Sequence, residues 1–345
     1  AVFMSSRDGV TWDRTFLEAW VRPGPDQKNW TDRNNMPAWG IVESAPGEWS
    51  MYISEHYRWT DCRIRRLVLP RHRIAAMQAG AKRGIPVLVL DRPNPITGAR
   101  AEGALLDSAL ANGDMPVAGN RTNGFALYPM PLRHGLTMGE MARLFQAQFK
   151  LATRLTVVPM RNWRRGMWFD ETALPWVRPS PNMPNVTSAL LYPALVPFEA
   201  SNVSVGRGTD EPFQRFGASW LRADSVTRIL EDLSLTGVKF KAERFTPNKP
   251  GDGKFAGQSI PGVRIVVTDR ERVQPARVGA AILWALSRVH KDSLRVTVAG
   301  FDQRFGSARA REALLGGADP DAVIDRQLPT VIAFEKDARR FYLYR

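Results

Sequence analysis

The residues of this chain able to do chemistry are carboxylates, arginines and asparagines set at the ends of apolar runs. Asp91, Arg92 and Asn94 follow the run 86–90, and Glu199 follows the run 194–198. Arg207 stands between Gly206 and Gly208, and His134 precedes Gly135. Groups of this kind can protonate a leaving oxygen or grip hydroxyls and carboxylates, which is the work of a sugar-hydrolysing site. Other chemistries lack their residues. Gly-x-Ser-x-Gly, a Walker loop and His-Glu-x-x-His are absent, and Gly206-Arg207-Gly208 lacks the third glycine of a dinucleotide fingerprint. The four histidines are scattered, and Cys62 as the only cysteine excludes an intrachain disulfide and a thiolate zinc site. No metal and no cofactor are expected.

Each candidate also has a plain structural use. Asp91 and Arg92 either contact a substrate or pair across a turn, and Asn94 between two prolines is equally a turn residue. Arg207 can offer a planar fork to a carboxylate or simply sit in a surface turn. His134 is more often a loop residue bonded to backbone than a proton shuttle. Glu140 fits a capping box with Thr137, and Asp170-Glu171 fit a short capped turn.

The elements that must position these residues fall into two styles. Six of the eleven tryptophans precede residue 60. There, short apolar runs alternate with turn signals: strand-like segments at 2–5, 10–12, 49–54 and 63–69, with Asp8-Gly9 as a tight-hairpin dipeptide. This predicts an antiparallel meander over 1–72. After Pro70 the pattern becomes helix alternating with strand. A helix is predicted over 74–83, closed by Gly84, and then a parallel strand over 86–90, whose unbroken apolar run implies cover on both faces. Ligands of such sheets bind at the carboxyl ends of the strands, where Asp91 stands. Further along come a helix opened by Thr137, a strand at 155–159, a Pro- and Trp-rich loop at 169–184 fit to be a site wall, and a strand at 194–198. Beyond Gly208 the signals predict a helix capped by Asp224, strands near 238–245 and 263–268, a helix begun by Pro275, two short helices capped by Ser307 and Asp319, and a terminal strand at 341–344.

The charge is lopsided, with 48 Lys+Arg against 34 Asp+Glu and a net +14. Up to His72 there are 10 Lys+Arg against 9 Asp+Glu, so the basic excess belongs to the rest. No Lys/Arg block interleaved with aromatics marks a nucleic-acid groove, and no nucleic-acid partner is expected. No stretch approaches the roughly 18 apolar residues of a membrane span.

Four longer words make the reading specific: IPVLVLDRPNPITG (85–98), HGLTMGEMARLF (134–145), WRRGMWFDETALPWVRPSPNMP (163–184) and FEASNVSVGRGTDEPFQRFGASW (198–220). In this order they resemble the NamZ-type exo-β-N-acetylmuramidases, which remove N-acetylmuramic acid from the non-reducing ends of peptidoglycan fragments. The resemblance runs from about Ile74 to Arg345. It implies an α/β architecture: a Rossmann-like parallel-sheet catalytic domain over 73–207 and a smaller C-terminal α/β domain over 208–345. It also implies a peptidoglycan-derived sugar or muropeptide as partner, no cofactor, and a periplasmic or extracellular home for the intact family member. The substrate-binding set it suggests is Asp91, Arg92, Asn94, His134, Asn182, Asn202 and Arg207, with Glu199 as the remaining general-acid candidate. The departure is that the family's catalytic glutamate lies in a Gly-Pro-Glu-His-Gly turn upstream of the strand at Val87, and none of the 345 residues spells that motif. The Rossmann-like domain is therefore expected to be partial and the activity impaired. Residues 1–72, through SSRDGVTWDR and WSMYISEHYR, more loosely resemble a blade edge of a five-bladed propeller glycosidase, which places a junction near Arg73.

Overall fold

The structure, a computed structural model, describes residues 86–111 and 128–345 together with residues 60, 84 and 126. Before residue 71 it otherwise describes the backbone of six strands. The chain divides into two compact units: residues 1–87 with 151–154, and residues 88–150 with 155–345.

The first unit contains β1 (Ser5–Ser6) and β2 (Trp12–Asp13), which pair antiparallel, and a second antiparallel sheet. In that sheet β5 (Glu48–Glu55) is central. It pairs with β3 (Met36–Pro37) and β4 (Val42–Ala45), and with β6 (Arg63–Pro70) over eight residues from Glu48↔Pro70 to Glu55↔Arg63. The strand-like readings at 49–54 and 63–69 are therefore found as an antiparallel pair. The Asp8-Gly9 turn and the helix predicted over 74–83 lie outside the described residues.

A short parallel pair is formed by β7 (Val87–Leu90) and β8 (Leu155–Val158), whose residues other than Val87 belong to the second unit. Val87 N donates to Arg154 O and Asp91 N to Val158 O, so both strands advance together. Cover on both faces was expected, and this is corrected. Exposure alternates along both strands, with Leu88 61% and Val158 42% exposed, while Val157 faces Gly139 of helix α1 (Met138–Gln148). Among the described residues only one face of this pair is covered, and an unbroken apolar run does not reveal that. The capping box that opens α1 is present: Thr137 Oγ1 accepts from Glu140 N, and Glu140 Oε2 accepts from Thr137 N.

The C-terminal part is built on an antiparallel sheet in the order β10 (Val238–Phe245), β11 (Ile260–Val267), β9 (Arg215–Gly217). On β10 the buried positions Val238 and Phe240 alternate with exposed Lys239 and Lys241, as a sheet with one covered face requires. Helix α2 (Val186–Leu195) starts at Asn185, whose side chain accepts from Ser188 N. Helix α3 (Ala223–Asp232) carries Asp224 in its first turn, where its charge suits the helix dipole. The N-cap position belongs to Arg222, which corrects the expected Asp224 cap. Helix α4 (Pro275–Val289) begins at its proline and is apolar around most of its circumference, because it packs against α2, α6 (Ala308–Leu315) and α7 (Pro320–Asp325). The two short helices start at Ser307 and Asp319 as predicted, each side chain capping its helix. Helices α5 (Val298–Phe305) and α8 (Leu328–Ala338) were not foreseen. One apolar core runs from Ile96 to Ile324 and includes Leu191, Leu195, Phe216, Val263 and Leu283.

Two predicted strands are helical or irregular instead. Residues 194–198 finish α2 and pass into a 3-10 turn, Val196–Ala200, so Glu199 sits at the end of a helix. A short apolar run cannot distinguish a buried strand from a buried helix end. The terminal segment forms a 3-10 turn at Arg339–Phe341 and then an extended tail whose hydrogen bonds go to side chains and loops.

Candidate functional site

The candidates separate into two clusters. In the first, Asp91 is almost fully buried at the carboxyl end of β7. Its Oδ1 accepts from Gly139 N at 2.7 Å and Arg92 N at 2.8 Å, and its Oδ2 from Thr137 Oγ1 at 2.7 Å and Tyr344 Oη at 2.6 Å. Gly139 permits this approach, since a Cβ there would strike the Asp91 carboxylate and Val157. Beside it, the fully buried Glu140 accepts from Arg165 Nη1 at 2.6 Å and Leu343 N at 2.9 Å. Arg165 lies over the Tyr342 ring, 3.4 Å from its centroid, and its backbone N donates to Arg345 O. The tail 342–345 thus occupies the end of the parallel pair where a ligand would be sought. Burial, reinforced by the Asp91 carboxylate, pushes the Tyr344 hydroxyl well above the usual tyrosine range, so it remains a donor.

The other candidates bond mainly to backbone groups. Asn94 is buried, donating from Nδ2 to Leu136 O at 3.0 Å and accepting from Ile96 N at 3.2 Å. Exposed Arg92 bonds the Asp91 carbonyl from Nη1. His134 Nδ1 accepts from Leu136 N at 3.0 Å, and burial pushes its pKa down to about 4, so it is neutral near pH 7. Asn202 bonds Ser293 O through Nδ2 and accepts from Arg295 N. Asn182 is half-buried in the 169–184 loop, its backbone N donating to Ser180 Oγ. That loop and the residue before it contribute Asp170 and Trp168 to an open cleft of about 310 Å³, lined also by Thr187, Gln214, Arg264 and Arg270. Arg270 engages both Asp170 and Glu171 there.

The second cluster joins Glu199 to Arg207. Glu199 Oε1 accepts from Arg207 Nε at 2.7 Å and from Arg207 Nη2. Both side chains keep partial contact with solvent. Arg207 is held by its flanking glycines, which have φ of +75° at Gly206 and +80° at Gly208. A Cβ at Gly206 would meet the Arg215 side chain, and one at Gly208 the Asn248 backbone. Helix α5 packs on the 3-10 turn and brings Arg304 Nε to 4.0 Å from Glu199 Oε2. Lys254, from the loop between β10 and β11, reaches the same turn. Burial and the Glu199 charge push the nearby Tyr192 hydroxyl up, with Arg304 and Arg207 opposing. Arg207, Arg304 and Lys254 lie together near Glu199 and Asp252. A guanidinium placed as that of Arg207 is can take a carboxylate through its planar fork.

The sequence singled out Glu199 and Arg207 but not Arg304, Lys254 or Tyr192, which the fold brings beside them. The Pro- and Gly-rich stretch 247–257 signals only a rigid turn, and Arg304 reads as an ordinary helix arginine. Among the described residues no group of three or more His, Cys, Asp or Glu could hold a metal, and no helix is long and apolar enough to cross a membrane.

The fold and the cluster define a mixed α/β protein in which an arginine set between two glycines is paired with a carboxylate. Residues 73–187 match the family model for the N-terminal part of the exo-beta-N-acetylmuramidase NamZ, and residues 190–344 match the model for its C-terminal part. The chain belongs to the NamZ family over these residues. It is 36% identical over 270 residues to the peptidoglycan beta-N-acetylmuramidase NamZ of Bacillus subtilis (strain 168), covering 78% of this chain. The chain spans 62% of that relative's length. Two solved DUF1343 family proteins from Bacteroides fragilis are similar in structure: one has a TM-score of 0.69 and 26% identity, covering 79% of this chain and 71% of its own. The other has a TM-score of 0.58 and 25% identity, covering 79% and 70%.

Proposed function

We propose that this chain carries a muramidase scaffold that recognises the terminal N-acetylmuramic acid of peptidoglycan fragments, with Arg207 as the residue that binds the lactyl carboxylate. The observation that carries this is the Glu199–Arg207 pair: a guanidinium aimed by glycines and a carboxylate and still partly open to solvent. Family membership supports the substrate class, since the curated relative is described as acting on peptidoglycan. In this reading residues 1–72 are a separate meander, 73–207 a partial Rossmann-like catalytic domain and 208–345 a smaller α/β domain. Asp91, Asn94 and Asn202 then support the site without touching sugar, while Arg92, His134 and Asn182 are left as secondary contacts. The reaction is hydrolysis of a terminal β-1,4 linkage, with the substrate's own 2-acetamido group as an available assistant. Glu199 is the candidate acid. Its carboxylate is already engaged by Arg207, which favours a binding role and slow turnover in this chain.

Titration of the protein with N-acetylmuramic acid and N-acetylglucosamine tests the reading. Binding of the first sugar at least about tenfold tighter than the second is the expected result. Equal affinity would remove the carboxylate from the argument. Release of a chromogenic aglycone from a β-N-acetylmuramide at about 1 per second or faster would overturn the slow-turnover part.

A further inference from the structure

The loop 246–259, between β10 and β11, touches both partners of the Glu199–Arg207 pair. At one point Asn248 N donates to Gly208 O at 2.7 Å, fastening the residue after Arg207. At another, Lys254 Nζ reaches three carbonyl oxygens of the turn that carries Glu199: Phe198 O at 3.2 Å, Glu199 O at 3.0 Å and Val203 O at 3.0 Å. An ammonium has three protons, and each of these contacts takes one. No proton is then left for a ligand. The cation instead draws together three carbonyl dipoles that would otherwise repel one another.

The loop is braced for this task. Gly257 N donates to Pro247 O at 2.8 Å, and Gly253 N to Pro250 O at 3.0 Å. Lys249 and Phe255 hold left-handed backbone at φ of 45° and 53°, a conformation that survives only when the surroundings enforce it. Burial pushes the Lys254 ammonium below the usual lysine range, with Asp252 and Glu199 opposing. A cation kept in such a place needs its hydrogen bonds satisfied, and the three carbonyls satisfy them.

We infer that Lys254 is a positioning residue of the sugar-acid site, holding the turn 198–203 so that Glu199 presents its carboxylate to Arg207 and thereby aims the guanidinium. This rests on the function proposed for that cluster. Lys254 acts through Glu199 and does not contact the sugar.

The test is Lys254→Met in ¹⁵N-labelled protein, reading the Nε–Hε resonance of Arg207, assigned by its loss in Arg207→Lys. In K254M that resonance is expected to shift and to exchange with solvent faster, and the affinity for N-acetylmuramic acid to fall about tenfold. The thermal midpoint is expected to fall by several degrees, because three partly buried carbonyls lose their donor, while the fold is kept. Lys254→Arg keeps the charge but spreads its donors in a plane, so an intermediate loss is expected. An unchanged resonance and unchanged affinity in K254M overturn the inference. If the wild type binds no N-acetylmuramic acid, the proposed function fails while the resonance still decides the role of Lys254. Should K254M not fold, Lys254→Gln is read in its place, and failure of both to fold reduces Lys254 to a structural brace.

Discussion

Asp91 and Glu199 look alike in sequence, each a carboxylate closing an apolar run, yet the molecule uses them differently. Asp91 accepts four hydrogen bonds from protein donors and is almost fully buried, as is Glu140 beside it. Glu199 keeps partial exposure and faces the guanidinium of Arg207, with Arg304 close by. A buried carboxylate with every lone pair engaged holds elements together, whereas a partly exposed ion pair can exchange a partner for a ligand. On the proposed function, the number of donors each group already serves separates structure from recognition better than its place at the end of an apolar run.

The comparison breaks most clearly at Glu140. Glu140→Ala leaves the Arg165 guanidinium and the Leu343 N–H without their buried acceptor, a loss worth about 3–5 kcal/mol. Urea unfolding followed by circular dichroism measures it, and a change below about 1 kcal/mol would mean that the tail is not anchored there. Asp91→Asn should cost about 2–3 kcal/mol, because an amide cannot accept all four donors.

A third expectation concerns acid. His134 titrates at about 4 in the folded protein against 6.5 unfolded, so between these values the unfolded chain binds the extra proton. Stability is then complete above about pH 6.5 and falls as the pH drops toward 4, by an amount on the order of 1–3 kcal/mol, since His134 is only half-buried by surface area. His134→Gln should flatten that segment of the stability profile, and an unaltered slope would assign it to other groups.

At the second cluster the effect should move from folding to binding. Arg207→Lys is expected to change stability by less than about 1 kcal/mol, as for partly exposed pairs, while weakening N-acetylmuramic acid about tenfold and leaving N-acetylglucosamine unaffected. Equal weakening of both sugars would return Arg207 to a supporting role. The smallest effect belongs to Arg270→Ala. Its pairs with Asp170 and Glu171 are exposed enough that about 0–1 kcal/mol is at stake, measurable in the same unfolding series.

Signals that act over a few residues were readable from the sequence alone. The Thr137–Glu140 box, the caps at Ser307 and Asp319, the proline opening α4 and the alternation along β10 all work through neighbouring backbone groups, and each is found where its residues predict it. The four long words likewise carried the family, because runs of 12 to 23 residues in a fixed order rarely match by chance. The tertiary structure decided the rest. Residues 194–198 turn out helical because α2 is buried on most sides and so shows no amphipathic period to distinguish it from a strand. Tyr344 meets Asp91 across 253 positions, and Lys254 meets Glu199 across 55, distances at which no spacing rule operates. Which carboxylate is consumed by the fold and which stays open to a ligand depends on the path of the whole chain, since only that path brings distant donors to one and leaves the other beside its arginines.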